Sequence, residues 1–291
     1  MILIVDGQNL AFAANMTQEL RTSYDMPTHA VIGFMRMLGD ACSEFSPTAV
    51  YVAWDGGRAQ ERVRLYPTYK ANRDASQKDA EWLRRREDLD RQIPVIRTLL
   101  ERLGVKQVWG DNVEGDDIIA LIVKQTTLAR PHECMVIVSS DHDFWQLVGP
   151  SVSVFNPINN GCKHKLVNGT NFKQITNLRP DQYLDYKAMV GDASDGIVGC
   201  RGVGEKTAIK ILHGFGSYDA FYKAVIVDKK YQPTTLEGRA ILDEDGFRVA
   251  RILMDLKSPV CINGQNICGS VGLIDTDAFK KIGRASCRER V

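Results

Sequence analysis

Short apolar runs alternate with amphipathic stretches through the first half of the chain. Five runs rich in β-branched residues predict strands, and several are too apolar to have one face in water. These runs are residues 1–5, 49–54, 105–109, 134–140 and 151–155. Helical periodicity marks residues 28–44, 92–103 and 115–129 between them. This β-α-β-α order predicts an α/β fold, with a mostly parallel sheet flanked by helices.

The chain changes character after Asn156, where short helical segments replace the strands. Helical periodicity marks residues 180–190, 204–213, 217–225 and about 246–256. We therefore expect a sheet-containing core at residues 1–179, followed by a mainly helical subdomain at residues 180–281.

A long charged segment at residues 56–92 interrupts the sheet-forming half. Its first part contains one acid, Glu61, among five basic residues. Those five are Arg58, Arg62, Arg64, Lys70 and Arg73. A charge run of this kind is usually a solvated helix. Its position directly after a strand end favours a functional lid or arch, because long connections in compact domains are usually functional or disordered.

The composition is that of an ordinary globular protein, with 44% hydrophobic and 25% charged residues among 291. No apolar run reaches about 18 residues, so we expect no membrane span, no signal peptide and a cytoplasmic location. The seven cysteines form no C-x-x-C pair, which excludes a zinc knuckle or a disulfide framework of the usual spacing. The net charge of +1 argues, on its face, against a polyanion binder.

The last ten residues, 282–291, are unlike the sequence before them and resemble a sequencing adapter translated in frame. The alternative is an ordinary basic tail. Without this segment, 37 basic and 36 acidic residues become 34 and 35, so the net charge becomes −1. The charge balance stays near zero in both cases.

Acidic residues follow four of the predicted strands. They are Asp6 after the first, Asp55 after the second, Glu114, Asp116 and Asp117 after the third, and Asp141 and Asp143 after the fourth. The carboxyl ends of parallel strands form the ligand crevice of an open α/β sheet. One such acid usually caps a helix, but four sets packed together repel one another and require a cation. Oxygen ligands suit Mg²⁺ or Mn²⁺.

A further acidic pair, Asp192 and Asp195, lies in the helical part. Together with the strand-end acids it gives about enough ligands for two ions, the arrangement that clamps the attacking and leaving oxygens in phosphodiester hydrolysis. The alternative is that Asp195 caps the next turn. The glycine-rich run at 199–210 fails as a P-loop, because Glu205 separates Gly204 from Lys206. It predicts a turn whose helix N-terminus binds a phosphate.

In this order, the motifs resemble the 5′-nuclease superfamily, in particular bacteriophage 5′-3′ exonucleases and flap endonucleases and the 5′-nuclease domain of bacterial DNA polymerase I. The matching pieces are ILIVDGQNL, WDGGRAQER with YPTYKANRD, VEGDDIIA, VSSDHDFWQLV and MVGDASDGIVGCRGVGEKTAIKIL. The resemblance implies a PIN-like (resolvase-like) core, a helical arch and a helix–three-turn–helix DNA-binding region. It also implies metal-dependent cleavage near junctions of single- and double-stranded DNA.

The resemblance assigns roles to individual residues. The implied metal ligands are Asp6, Asp55, Glu114, Asp116, Asp117, Asp141, Asp143, Asp192 and Asp195, and Lys70 joins Asp6, Asp55, Asp141 and Asp143 as catalytic. The implied DNA contacts are Tyr69, Lys70, Arg73, Arg58, Gly202, Gly204, Lys206, Thr207 and Lys210. Tyr69 offers a face for stacking a base, or else packs as a turn aromatic. His142 is expected as a loop filler and Trp145 as a core residue.

The resemblance also implies two Mg²⁺ ions, replaceable by Mn²⁺, and K⁺ at the helix–three-turn–helix. The expected partner is DNA with 5′ flaps or single-strand/double-strand junctions. The protein is expected to act as a monomer in the cytoplasm, which is that of a bacterial host if the protein is phage-encoded. One alternative is a PIN-like ribonuclease or an RNase H-type 5′ nuclease acting on RNA. Another is a non-catalytic branched-DNA binder, although a phosphate binder gains nothing from concentrated negative charge.

Overall fold

The computed structural model describes residues 1–71, 79–158, 164–258 and 267–270. Seven strands form the main sheet: β1 Ile2–Asp6, β2 Ala49–Ala53, β3 Lys106–Gly110, β4 Met135–Val138, β5 Val152–Phe155, β6 Leu166–Val167 and β9 Ile267–Ser270. Two more strands, β7 Gly191–Asp192 and β8 Ile197–Val198, form a separate antiparallel ribbon. Arg73 and the suspected adapter segment at 282–291 lie outside the described residues.

Helices cover the sheet and build the second half of the chain. They are α1 Gly7–Asn15, α2 His29–Phe45, α3 Gln60–Leu65, α4 Ala80–Arg102, α5 Gly115–Ala129, α6 Phe172–Thr176, α7 Tyr183–Val190, α8 Glu205–Phe215, α9 Tyr218–Tyr222, α10 Thr235–Leu242 and α11 Glu244–Met254. Short 3-10 turns occupy His142–Leu147 and Pro180–Gln182, and a π turn occupies Lys223–Val227. None of the helices in the described part is long and apolar enough to span a membrane.

The strand order of the main sheet is β6-β5-β4-β1-β2-β3-β9. The five inner strands run parallel, and β6 and β9 pair antiparallel at the two edges. The prediction of a mostly parallel sheet is therefore confirmed. After β3 the chain crosses back to place β4 beside β1, so the order reverses between β1 and β4. A ligand crevice is expected outside the carboxyl ends of the strands at such a reversal.

Strand β9 corrects the expectation that residues 180–281 are helical. The chain returns at 267–270 to pair with β3, and Trp109 lies opposite Cys268 in the register. An edge strand has unpaired backbone groups, and β9 satisfies those of β3. Four residues give too little pattern to predict such a strand.

Both faces of the sheet are buried, which explains the apolar character of the strand runs. Along β1, Leu3 and Val5 pack with α1, α2 and α4, whereas Ile2 and Ile4 face the opposite core. That second core continues without interruption into the C-terminal helices, where Phe247 is one of its members. The helical part is thus packed directly against one face of the sheet.

Helix α4 changes the picture of the charged segment. Residues 80–102 form one helix of 23 residues, which joins the second part of the predicted arch to the helix predicted at 92–103. The side chains of Leu89 and Ile96 are buried against the α1 and α2 layer, and Gln92 accepts a hydrogen bond from the Ala30 amide at 2.8 Å. From Asp88 onward the helix therefore packs against the scaffold, whereas residues 80–87 are mostly exposed.

Candidate active site at the carboxyl ends of the strands

Asp6 lies at the junction of β1 and α1, on the side of β1 that adjoins β4. Its Oδ1 accepts the Asn9 amide at 3.0 Å and caps α1, while its Oδ2 accepts the Ser139 hydroxyl at 2.9 Å. Burial raises the pKa of Asp6 to about 7. The hydrogen bonds from Asn9 and Ser139 oppose this rise, and repulsion from Asp55 and Asp141 adds to it. Asp6 is thus a buried carboxyl beside two other acids.

Asp55 and Asp116 extend this acidic group from β2 and α5. The Gly115 amide donates to Asp55 Oδ1 at 2.6 Å, and a Cβ at position 115 would lie 2.9 Å from the same oxygen. Glycine therefore allows the start of α5 to approach Asp55. Burial, followed by repulsion from Asp141 and Asp6, raises the pKa of Asp116 well above its ordinary value. The structure thus brings together Asp6, Asp55, Asp116 and Asp141, which we call the first acidic group.

A second acidic group forms around Lys187 of α7. The Lys187 Nζ lies 2.7 Å from Asp143 Oδ1 and 2.9 Å from Asp192 Oδ2. Burial, followed by repulsion from Asp141, raises the pKa of Asp143. Burial acts the same way on Asp192, but hydrogen bonds from Ser194 and Lys187 outweigh it and lower its pKa to about 2. The protein therefore supplies its own cation to this pair of carboxylates.

Glu114 and Asp117 surround two further cations from the charged segment. Arg62 makes a bidentate pair with Asp117, with nitrogen–oxygen distances of 2.7 and 2.6 Å. Glu114 Oε2 accepts from Lys70 Nζ at 2.6 Å and from the Tyr69 hydroxyl at 2.9 Å. Burial alone raises the pKa of Glu114, but the attraction of Lys70 and Arg62 outweighs it, so the pKa lies below its ordinary value.

Two expected roles need correction at this cluster. Asp117 has 0% of its surface exposed and both oxygens bound by Arg62, so its prediction as a metal ligand does not fit. Tyr69 is 3% exposed with its hydroxyl on Glu114, so the packed-turn alternative describes it and the stacking role does not. The metal-ligand role of Glu114 stays a prediction.

Lys70 connects this cluster to the loop between β7 and β8. Its backbone amide donates to the Asp195 carbonyl at 2.8 Å, and its Nζ lies 3.7 Å from Asp195 Oδ2. Its φ of 56° is in the left-handed region. Burial alone lowers the pKa of the Lys70 ammonium, but Glu114 and Asp195 outweigh burial and raise it. Lys70 is therefore a charged, mostly buried lysine beside the acids.

The glycine-rich turn precedes α8 as expected. Gly202 has a φ of 77°, which favours glycine, and Gly204 is the N-cap residue of α8. The Thr207 amide donates to the Gly204 carbonyl at 3.0 Å, and the side chain of Lys206 is exposed. Lys210 lies 3.0 Å from Glu237 Oε1, so it is engaged in an ion pair. Arg58 is half-buried in the connection between β2 and α3.

Trp145, two residues after Asp143, packs against the core, in line with expectation. Trp145 packs edge-on against Phe172, with ring centroids 6.4 Å apart, and stacks on His142 at 4.1 Å. Sequence reasoning missed Arg62, Lys187 and Ser139 as site residues. The only sequence signals for them are the strand-end position of Ser139 and the place of Lys187 five residues before Asp192.

The chemistry of the acidic side chains suits divalent cations, although the side chains are not arranged as a preformed metal site. Among the described residues, no three His, Cys, Asp or Glu side chains converge on one point as in a preformed metal site. The first acidic group nevertheless consists of oxygen donors in which burial, followed by repulsion from the neighbouring acids, raises the pKa of Asp6 and Asp116. A hard divalent cation would relieve that repulsion.

The fold and the two acidic groups define a resolvase-like α/β protein with a C-terminal helical subdomain. Residues 1–177 match the N-terminal resolvase-like domain of 5′-3′ exonuclease, and residues 178–266 match the 5′-3′ exonuclease C-terminal SAM fold. The chain therefore belongs to the 5′-3′ exonuclease family.

Sequence relatives include bacterial DNA polymerases I. The thermostable enzyme of Thermus thermophilus is 33% identical over 223 residues, which are 76% of this chain and 25% of that protein. The enzyme of Chloroflexus aurantiacus is 31% identical over 284 residues, which are 96% of this chain and 28% of that protein. The chain thus spans about a quarter of the length of these relatives.

A solved structure of similar fold is the flap endonuclease of bacteriophage T5, in a pseudo-enzyme–product complex with DNA and metal ions. The TM-score is 0.75 at 20% identity, and the match covers 97% of this chain and 99% of that one. The likeness extends over both the sheet and the C-terminal helices, and it supports the fold.

Proposed function

We propose that the chain is a metal-dependent, structure-specific 5′ nuclease that hydrolyses DNA phosphodiester bonds as a 5′-3′ exonuclease and flap endonuclease. The observation that carries this proposal is the first acidic group, in which four carboxylates lie together beside the buried, charged Lys70. Such a group would weaken the affinity of a phosphate-binding protein, because its carboxylates repel the negatively charged phosphates. A nuclease that uses metal ions requires it.

The acids divide into two candidate cation sites. Asp6, Asp55, Asp116 and Asp141 would hold one ion, and Asp143 and Asp192, with Asp195 nearby, would hold another. Bound there, a pair of divalent ions supplies activation of water and neutralisation of charge on the attacking and leaving oxygens. Asp6 and Asp141 are already fixed for this task by hydrogen bonds from Ser139 and from the amides of Asn9 and Asp143.

Lys70 would stabilise negative charge on the phosphoryl group during cleavage. Its pKa is raised, so it is protonated at neutral pH. A preorganised cation in a partly buried site interacts with developing charge more strongly than it would in water. The Lys70 ammonium has three N–H donors, so it can donate to a phosphate oxygen while it keeps its contact with Glu114 Oε2.

The N-terminal end of α8 would contact the duplex backbone. The residues proposed for this contact are Gly202, Gly204, Lys206, Thr207 and Lys210, with Arg58 and Arg73 contributing from the arch. Helix N-termini bind phosphates without reading a base. Lys206 is the stronger electrostatic candidate, because the exposed Lys210 is paired with Glu237.

The finer cofactor and cellular assignments rest on the family resemblance. We propose Mg²⁺ as the physiological ion, Mn²⁺ as a functional substitute and K⁺ at the glycine-rich turn. The proposed substrates are DNA with 5′ flaps or single-strand/double-strand junctions, with a 5′-phosphate and a 3′-hydroxyl as product ends. We also propose that the protein acts as a monomer in the cytoplasm, of a bacterial host if it is phage-encoded, during DNA replication or repair.

End-labelled flap, nicked and single-stranded DNA, with and without Mg²⁺, test the proposal. We expect Mg²⁺-dependent cleavage near the junction of the flap, and none by Asp141→Asn. Asp40→Asn is the matched control, since Asp40 is an exposed aspartate on α2 outside the site. A matched RNA flap cleaved faster than DNA would favour the ribonuclease alternative, and DNA binding without product on any substrate would favour a non-catalytic binder.

A further inference from the structure

Arg62 is a fully engaged cation at the base of the charged segment. Only 2% of its surface is exposed, although it lies in a run of charged residues. Two of its nitrogens bind the Asp117 carboxylate at 2.7 and 2.6 Å, and its Nε donates to the Leu253 carbonyl of α11 at 2.9 Å. Its Nη1 also lies 3.3 Å from Glu114 Oε2. All three of its nitrogens therefore have acceptors inside the protein.

One oxygen of Glu114, Oε2, contacts both Arg62 and Lys70. Glu114 Oε2 is the atom that accepts from Lys70 Nζ at 2.6 Å and from the Tyr69 hydroxyl at 2.9 Å. A carboxylate oxygen held by three donors has little freedom to rotate. The position of the Lys70 ammonium is consequently fixed by a carboxylate that Arg62 holds from the other side.

We propose that Arg62 is a positioning residue for Lys70, which acts through Glu114 and ties both to the C-terminal helix α11 through the Leu253 carbonyl. This inference rests on the proposed nuclease function. It deepens that function by connecting the helical subdomain to the lysine that would act on the phosphate. Arg62 itself touches none of the reacting atoms.

The planar guanidinium is what this position requires. It presents two parallel donors to Asp117 and keeps others for Glu114 and Leu253, whereas the lysine ammonium is a compact point charge. Arg62→Lys therefore preserves charge but cannot satisfy all three acceptors. Arg62→Ala alone would leave the Asp117 charge buried without a partner, which strongly destabilises a fold.

Two variants separate positioning from folding. Arg62→Lys keeps the charge, and the double variant Arg62→Met with Asp117→Leu replaces the buried pair by apolar side chains, a change that folds tolerate. The control is Arg251→Met with Asp185→Leu, because Arg251 of α11 also pairs with an aspartate, Asp185, at 2.9 Å but without contacting Glu114. Melting temperature verifies that each variant is folded.

Three measurements then follow: the Kd for flap DNA in EDTA, the single-turnover cleavage rate at saturating DNA with Mg²⁺, and the ¹⁵Nζ resonance of Lys70 in the metal-free protein. For both Arg62 variants we expect a rate reduced at least about tenfold, a Kd within about threefold of wild type and a displaced Lys70 resonance. The Arg251 control should retain the wild-type rate and resonance.

A wild-type rate together with an unmoved Lys70 resonance in both Arg62 variants would overturn the inference. A rate that falls equally in the Arg251 control, with the resonance unmoved in all variants, would reduce Arg62 to a structural role and also overturn it. If the wild-type protein cleaves no substrate while the resonance moves only in the Arg62 variants, the proposed function fails and the positioning role stands.

Discussion

The first acidic group should make the metal-free protein less stable than a variant that lacks one of its charges. Asp6→Asn tests this at the most constrained member. Asparagine keeps an oxygen to accept the Asn9 amide, while its amide group replaces the oxygen that accepts the Ser139 hydroxyl. The substitution thus removes the charge and preserves the cap of α1.

The expected magnitude comes from the pKa of Asp6. A carboxyl whose pKa is about 7 in the folded protein and 3.8 when unfolded binds more protons when folded, so stability falls as the pH rises between these values. The full penalty is about 4 kcal/mol above pH 7, since one pKa unit is about 1.4 kcal/mol. Loss of the hydrogen bond from the Ser139 hydroxyl lowers the stability of Asp6→Asn by about 1 kcal/mol. We expect a net gain of roughly 3 kcal/mol for Asp6→Asn at pH 8.

Thermal unfolding in EDTA measures this effect across pH. At pH 8 the melting temperature of Asp6→Asn should exceed that of wild type by roughly 3–8 °C, and the difference should vanish near pH 4. Asp40→Asn on the exposed face of α2 should show no such trend. If Asp6→Asn melts below wild type at pH 8 in EDTA, or if the difference is independent of pH, the account of Asp6 as a buried carboxyl whose charge destabilises the metal-free fold is wrong.

Three further predictions concern Lys70, Asp141 and Glu237. Lys70→Ala should lower the single-turnover cleavage rate by about 10²–10³, with measurable DNA binding, whereas Lys106→Ala at the opposite end of β3 should leave the rate unchanged. Asp141→Asn should lose most Mg²⁺-dependent cleavage and retain binding in a gel-shift assay. Glu237→Gln should lower the melting temperature at pH 7 but not near pH 2. Burial raises the pKa of Glu237, but hydrogen bonds led by the Thr234 amide outweigh it and lower the pKa to about 2. The charged Glu237 therefore stabilises the fold above pH 4.5, and this stabilisation is lost as the pH falls through 2.

The strands and the strand-end acids were predictable because each depends on local pattern. A strand buried on both faces must be apolar throughout, so β1, β2 and β4 were evident as continuous runs. Parallel strands bring their carboxyl ends to one edge, so the sequence alone places Asp6 and Asp141 together.

The internal cations were not predictable, because their burial is decided by tertiary packing. Arg62 and Arg64 lie two positions apart in the same charged run, yet Arg62 is buried while the Arg64 side chain is 73% exposed. Charge alone does not distinguish them. The difference arises because α3 packs on α5 and α11, which supply Asp117 and the Leu253 carbonyl as acceptors.

The near-neutral net charge of +1 conceals an uneven distribution of charge within the site. Asp143 and Asp192 share the ammonium of Lys187, and Glu114 pairs with the ammonium of Lys70 and the guanidinium of Arg62. Asp6 is instead buried beside two other acids, and burial, followed by their repulsion, raises its pKa. Cations of the protein thus lie closest to the acids at the margins of the site, whereas the pKa values of Asp6 and Asp116 are raised near the junction of β1 and β4. In the proposed nuclease, a divalent ion would be bound most favourably among these buried acids, at the reversal point of the sheet.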